Sequence, residues 1–452
     1  MYLEAVEKLC RACPFDRFNF RCNDSGAALC WSECLYAGQN GPERCREMPY
    51  GKRVADVLSV FQEGARRAGA SDVKVNLRAN LGDGDESPIV PWLKPGQSIN
   101  NIDASGRSAS WPIGFPNGIG DCTTGLNGLT RLPHFVEQLQ RVELHPDEDV
   151  AIGLRSMLEY DAHELLARYF ARGRKVGQGP AAKWRAVEEI ASVFVGPENA
   201  PALAAAWDRL ERSLAALDDF QTGGNLILLA TIHQRWLTRP LVPFPGELKG
   251  EDRSYWRDYV FQAQDEENAN DLLDLQGNRW LSGYGGYSLF RMAYLRTLLP
   301  CARAAEAGFA QAVGQAVDAR AKRFLSDQLA KIRAYRTILA NAMHVVEFQS
   351  VLDRTDFTAK PADASPVLDE QGDLRLHKLN LIVRAEIDNT LELIGILEAS
   401  EDPVFPYAGS DRFQTVMKLP PKATLVRDLR RKIAIMEAHR RDFLRLYRSY
   451  NR

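Results

Sequence analysis

Two carboxylates in one short polar segment define the chemistry this chain can offer. Asp24 and Glu33 flank Trp31 in the run Asn23-Asp24-Ser25-Gly26-Ala27-Ala28-Leu29-Cys30-Trp31-Ser32-Glu33. Cleavage of a glycosidic bond takes one carboxyl group as proton donor and a second as nucleophile or base, set across the scissile bond. An indole such as Trp31 gives a sugar ring an apolar face to stack on and keeps a polar edge toward water. Asn-Asp-Ser is also good capping chemistry, so the competing role for Asp24 is to close the turn or helix that follows. The expectation is a catalytic Asp24 with Glu33 as its partner.

The elements that must position these groups are legible on either side. Phe18, Phe20 and Cys22 alternate with Asn19 and Arg21, which predicts a strand over 15–22 that runs straight into Asn23 and Asp24. A helix over 2–13 precedes it. A second helix over about 52–68 carries the apolar stripe Val54, Val57, Leu58, Phe61 and Ala65, and Gly69 ends it as a C-cap. A second strand over 72–79 sets Val73, Val75 and Leu77 against Lys74, Asn76 and Arg78. Helix-strand-helix-strand with short links implies parallel pairing through right-handed crossovers. A strand that ends in acids and an aromatic is how an α/β barrel presents a sugar site. Asn23 and Arg78 are then the expected substrate hydrogen-bonding groups, and Trp31 and Trp111 the stacking platforms. Two parallel strands do not make a stable sheet. More strands, a second copy of the chain or another chain must complete and cover it.

At 452 residues the chain exceeds one ordinary core. The expected division is a partial α/β, barrel-like region over 1–125, a helical region with loop insertions over 126–355, and C-terminal helices over 356–452 packing on the bundle. The fold class is mixed and mostly α. Composition is globular, with 45% hydrophobic and 26% charged residues and a mean hydropathy of -0.30. A formal net charge of -2 argues against a nucleic-acid binder, which carries a basic surplus. No apolar run is long enough for a transmembrane helix, so no membrane partner is expected. The N-terminus reads as an acidic amphipathic helix, not a signal peptide, and the cytoplasm is the expected location. Six of the eight cysteines fall within the first 45 residues. Cys10-x-x-Cys13 with Cys30-x-x-x-Cys34 could close a zinc tetrad. The favoured reading is reduced thiols in the core or lining the site, with no metal.

Residues 80–130 are rich in Gly, Pro, Asn, Asp and Ser, and a loop of that length marks a site or a linker. Asp83, Asp85, Glu86 and Trp92 lie in it. The acids lack calcium-loop spacing and read as solvated turn residues. From 131 onward the pattern is helical: 149–172, 181–194, 198–217, 222–238, a very long stretch over 288–353, then 374–399 and 423–448. The segments from Arg235 to Pro245 and from Gln276 to Trp280 interrupt the helices and read as an interdomain seam. The arginines of the last helix and Lys432 are interspersed with Asp428, Glu437 and Asp442 and read as a solvated face. Zincin, nucleophile-elbow, phosphate-loop and dinucleotide-binding motifs are all absent from the sequence.

The helix, the strand ending in Asn23-Asp24-Ser25-Gly26, the Cys- and Trp-bearing turn and Phe61-Gln62-Glu63-Gly64 together resemble the later part of a bacterial glycoside-hydrolase barrel. The nearest kinds are hexosaminidase-like and α-glucuronidase-like proteins, which follow a (β/α)8 barrel with a helical C-terminal region. Arg384 to Thr390 and Lys432 to Glu437 are similar to helices of such tails. The resemblance implies hydrolysis of a carbohydrate substrate by paired carboxylates, with no cofactor. Two strands are legible where a barrel has eight, so the chain reads as one that begins part-way through the barrel. The rival reading is a non-catalytic helical interaction or scaffold protein with a vestigial α/β portion.

Overall fold

The computed structural model describes residues 2–12, 17–21, 47–78, 87–107, 113–114, 129–144, 150–151, 161–220, 236–259, 284–354, 374–405, 407 and 419–446. These are mostly helical, with a small four-stranded sheet. The chain divides into two compact units, Met1–Ile113 with Pro146–Ala151, and Gly114–His145 with Ile152–Arg452.

The first unit contains α1 (Tyr2–Ala12), β1 (Arg17–Arg21), α2 (Tyr50–Arg67), β2 (Lys74–Arg78), β3 (Gln97–Ile99) and β4 (Ile102–Asp103). The sheet order is β1-β2-β3-β4. β1 pairs parallel with β2, placing Phe18 opposite Val75, Asn19 opposite Asn76 and Arg21 opposite Arg78. β2 pairs parallel with β3, and β3 pairs antiparallel with β4. The two strands read from alternation thus form with the expected relative direction. β3 and β4 lie within the segment read as loop. Gln-Ser-Ile is too short and too polar to show a strand period, and pairing with β2 is what makes it a strand.

One face of this sheet is apolar. Val75, Leu77 and Ile99 share a core with Val54, Leu58, Phe61 and Ala65 of α2, and Val6 and Cys10 of α1 complete it. Cys10 is therefore a core thiol, as the apolar stripe of α1 implies; Cys13, Cys30 and Cys34 lie outside the described residues. Gln97 points to the same side, where its Nε2 donates to Gln62 Oε1 at 2.9 Å and to Ser59 Oγ at 3.0 Å.

The second unit is helical: α3 (Leu132–Glu143), α4 (Ala162–Ala171), α5 (Pro180–Val195), α6 (Ala200–Phe220), α7 (Gly250–Tyr259), α8 (Tyr284–Ala293), α9 (Leu299–Gly314), α10 (Ala319–Arg354), α11 (Leu374–Ala399) and α12 (Lys422–Ala438). Phe194, Trp207, Phe309 and Phe324 interlock at its centre, with ring centroids 4.5 to 6.4 Å apart. Three expectations need correction. Val150–Ala151 is a short strand paired with Ile113–Gly114 and not the start of a helix. The helix begins at Ala162, where Asp161 Oδ1 accepts from His163 N at 2.7 Å as a cap. The stretch over 288–353 is three helices, not one. Pro300 has no N–H to continue the ladder, and a π turn over Tyr294–Leu298 precedes it. The Ser213 hydroxyl donates to the Leu298 carbonyl at 2.8 Å, compensating that backbone. The second break follows Gly314, and Asp318 Oδ1 then caps α10 by accepting from Ala321 N at 2.7 Å. Residues 236–238, read as the end of a helix, form a turn.

Gly64 of α2 sits where α1 crosses. A Cβ there would lie 2.8 Å from the Leu3 carbonyl oxygen and 2.9 Å from Val6 Cβ. Backbone cannot yield as a flexible side chain can, so the clash outweighs the gain in helix propensity. Gly64→Ala is expected to destabilise the first unit by about 1–3 kcal/mol, the scale of overpacking a tight core. Urea unfolding followed by circular dichroism measures it, and a more stable variant would contradict the crossing as described.

Candidate functional site

Asn23, Asp24, Trp31, Glu33 and Trp111 lie outside the described residues, as does the Arg78 side chain. What is described is the point from which the segments after Arg21 and Arg78 depart. β1 ends at Arg21, two residues before Asn23, and β2 ends at Arg78, its register partner. Both segments therefore leave from the carboxyl edge of a parallel sheet, where ligands of α/β sheets bind.

The side of the sheet away from the α2-facing Val75 and Leu77 is polar, because strand side chains alternate. Asn76 is fully buried in the middle of β2. Its Nδ2 donates to Asn19 Oδ1 at 3.1 Å and to Asn101 Oδ1 at 3.2 Å. Its Oδ1 accepts from Ser98 Oγ at 2.9 Å and from the Asn101 backbone N–H at 3.2 Å. One carboxamide thus joins β1, β2, β3 and the turn that follows β3, with all four of its bonding positions filled. Asn100 and Asn101 both hold left-handed backbone, at φ 47° and 69°, which asparagine tolerates better than most residues. The Asn100 N–H donates to the Leu77 carbonyl at 2.8 Å and fixes the turn against the end of β2. Trp92, from the segment read as loop, presses on the first turn of α2 at Gly51, where an added Cβ would stand 2.5 Å from its ring.

This cluster was missed in the sequence, although a signal was present. Phe18-Asn19-Phe20-Arg21 and Val75-Asn76-Leu77-Arg78 repeat one pattern, apolar-Asn-apolar-Arg, at the end of both strands. Asparagine is depleted in strand interiors, so its recurrence at one offset points to a shared task. Ser98 and Asn101 had no such marker.

Other clusters are anchored within the helical unit. Glu386 and Lys432 are both fully buried, which corrects the reading of Lys432 as part of a solvated face. Glu386 Oε1 pairs with Lys432 Nζ and accepts from Asn341 Nδ2 at 2.7 Å, while Oε2 bonds His344 Nδ1 at 2.7 Å. Lys432 Nζ and Asn341 Nδ2 also donate to the carbonyls of Leu237 and Trp236, at 3.0 and 3.1 Å. Arg239 lies over the Trp256 ring, 4.3 Å from its centroid. The segment from Trp236 is therefore fastened into the helical unit by these groups. His163 is buried beside Asp161, and burial pushes its pKa down; its Nε2 accepts the Arg131 N–H at 3.1 Å. A groove of about 560 Å³ runs between the start of α10 and the end of α11. Its charges are largely paired: Arg323 with Asp402, Arg333 with Glu306, and the buried Asp327 with Lys331. Among the described residues no cluster of His, Cys, Asp and Glu could hold a metal ion, and no helix is long and apolar enough to cross a membrane.

Comparison with family models, with curated proteins and with solved structures finds no match to this chain. The carboxyl edge of the small sheet is the best-organised candidate site on geometry alone.

The Glu386 cluster carries a pH prediction. Burial alone would raise the Glu386 pKa, but the Lys432 ammonium and the His344 hydrogen bond hold it at about 2. A folded pKa below the ordinary 4.5 contributes stability that is complete above pH 4.5 and fades as pH falls toward 2. Glu386→Gln strands a buried ammonium and is expected to cost about 3–5 kcal/mol at neutral pH. The deficit relative to the parent chain should shrink between pH 4.5 and 2. Urea titrations across that range measure it, and a deficit independent of pH would contradict the pairing.

Proposed function

We propose that the chain is a carbohydrate-active protein of glycoside-hydrolase type, with its site at the carboxyl edge of the β1-β2-β3 sheet. In this reading the sheet is a sector of a barrel-like wall: helices cover one face, the polar face turns to the barrel interior, and the substrate meets the carboxyl ends of the strands. The observation that supports it is the Asn76 cluster, which ties the middles of three parallel strands together, two residues before β1 ends and the chain continues toward Asp24.

Each residue then has a defined task. Asp24 is the leading acid and Glu33 its partner, one protonating the departing oxygen while the other attacks the anomeric carbon or activates water. Asn23 and Arg78 hold substrate hydroxyl oxygens by N–H donation, and Trp31 and Trp111 stack on sugar rings. The two-carboxylate chemistry needs no cofactor.

Hydrolysis of a panel of aryl glycosides tests this. Asp24→Asn is expected to lower kcat by roughly 10²–10⁴-fold, the range of a general acid or base, with little change in KM. Equal turnover by the parent chain and the variant removes Asp24 from the role. Absence of turnover on every member of the panel removes the hydrolase.

A further inference from the structure

We infer that Asn19 and Asn101 bind the ligand through their side-chain amide nitrogens, and that Asn76 is the positioning residue that aims both. This deepens the carbohydrate reading and rests on it for the class of ligand.

The orientation of the three amides follows from one fixed donor. The Asn101 backbone N–H can only donate, so the Asn76 atom it meets at 3.2 Å is the carbonyl oxygen. Ser98 Oγ donates to that same oxygen at 2.9 Å. The other end of the Asn76 amide is then Nδ2, which donates one hydrogen to each neighbour. Asn19 and Asn101 must both turn Oδ1 toward Asn76. A flip of either would set N–H against N–H in a part-buried seam. Each of the two is thereby left with an NH2 group directed away from Asn76, and neither amide nitrogen has a partner among the described residues. Asn19 is exposed and Asn101 half-buried.

The chemistry of the face selects its ligand. Lys74 precedes Asn76 on the same side of β2 and is exposed. Asp103, across from Ser98, spends its carboxylate oxygen Oδ1 on Ser105 and Arg107 of its own turn. The two amide nitrogens are donors, and they match groups that accept: hydroxyl or carboxylate oxygens of a sugar. The two amides are held by backbone and strand register before any ligand arrives, which spares the ligand the cost of ordering them. The left-handed backbone at Asn100 and Asn101 fits this, because unfavourable conformations persist where the surroundings over-determine them, often at ligand sites.

Isothermal titration of the full chain with D-glucose and with D-glucuronate, which differ in the oxidation of C6, tests the assignment. Asn19→Asp keeps an oxygen for Asn76 to donate to and replaces the outward NH2 by a second acceptor. Asn101→Gly keeps the positive φ and removes the amide. Each variant is expected to bind roughly 3- to 10-fold more weakly than the parent chain, the worth of one or two hydrogen bonds, with Tm unchanged in Asn19→Asp. A loss confined to D-glucuronate assigns the amides to the carboxylate, and a loss for both assigns them to ring hydroxyls. Unchanged affinity in both variants, or no binding of either sugar by the parent chain, overturns the inference. Because titration reads binding without turnover, failure of the hydrolase reading alone would leave these affinity losses in place.

Discussion

The carboxamide of Asn76 is the constraint on which the first unit turns. Buried in the middle strand, it must find partners for two donors and two acceptors, or leave a polar group unsatisfied at about 1–3 kcal/mol. It finds all four on Asn19, Ser98 and Asn101, residues from β1, β3 and the turn beyond β3. A slip of one residue in either strand pairing would carry these partners to the opposite face, where α2 packs on Val75 and Leu77. The apolar face and the amide face therefore enforce the same register from opposite sides. The polar side of a three-residue strand such as β3 is fixed as firmly as its apolar side.

The helical unit uses a different device for a similar purpose. Its core is aromatic and aliphatic, yet Glu386 and Lys432 are sealed within it. Together with Asn341 they secure the carbonyls of Trp236 and Leu237, backbone that no helix ladder satisfies. The π turn before Pro300 solves the same problem locally, with the Ser213 hydroxyl and the Tyr335 hydroxyl 2.8 Å apart beneath it. In both units, then, buried polar side chains stand where irregular backbone has to be fixed.

Much of this architecture was legible in the sequence, for identifiable reasons. α1, β1, α2, β2 and α11 each repeat their apolar residues over enough length for the period to show. β3 is too short for any period. The breaks inside 288–353 were written in Pro300 and Gly314, but the surrounding apolar pattern continued through them. Lys432 read as one more basic residue on a surface, because a buried ion pair has partners distant in sequence and leaves no local trace. On α11, Leu391 is exposed, while Asn380, Glu386, Asn389 and Thr390 are buried among apolar residues such as Leu379, Val383 and Ile394. The asparagine pattern at the strand ends was visible, and its meaning needed the register. The carboxylates that drew first attention, Asp24 and Glu33, lie outside the described residues, so their reading rests on the strand that leads to them.

The most direct test of this account is hydrogen exchange of side-chain amides in chain labelled with 15N-asparagine. The account requires the two Asn76 amide protons, buried and both donated, to persist long after those of Asn19 and Asn101 have exchanged with solvent. If the Asn76 protons exchange as fast as those of Asn19, the strands are not tied as described, and the site built on them falls.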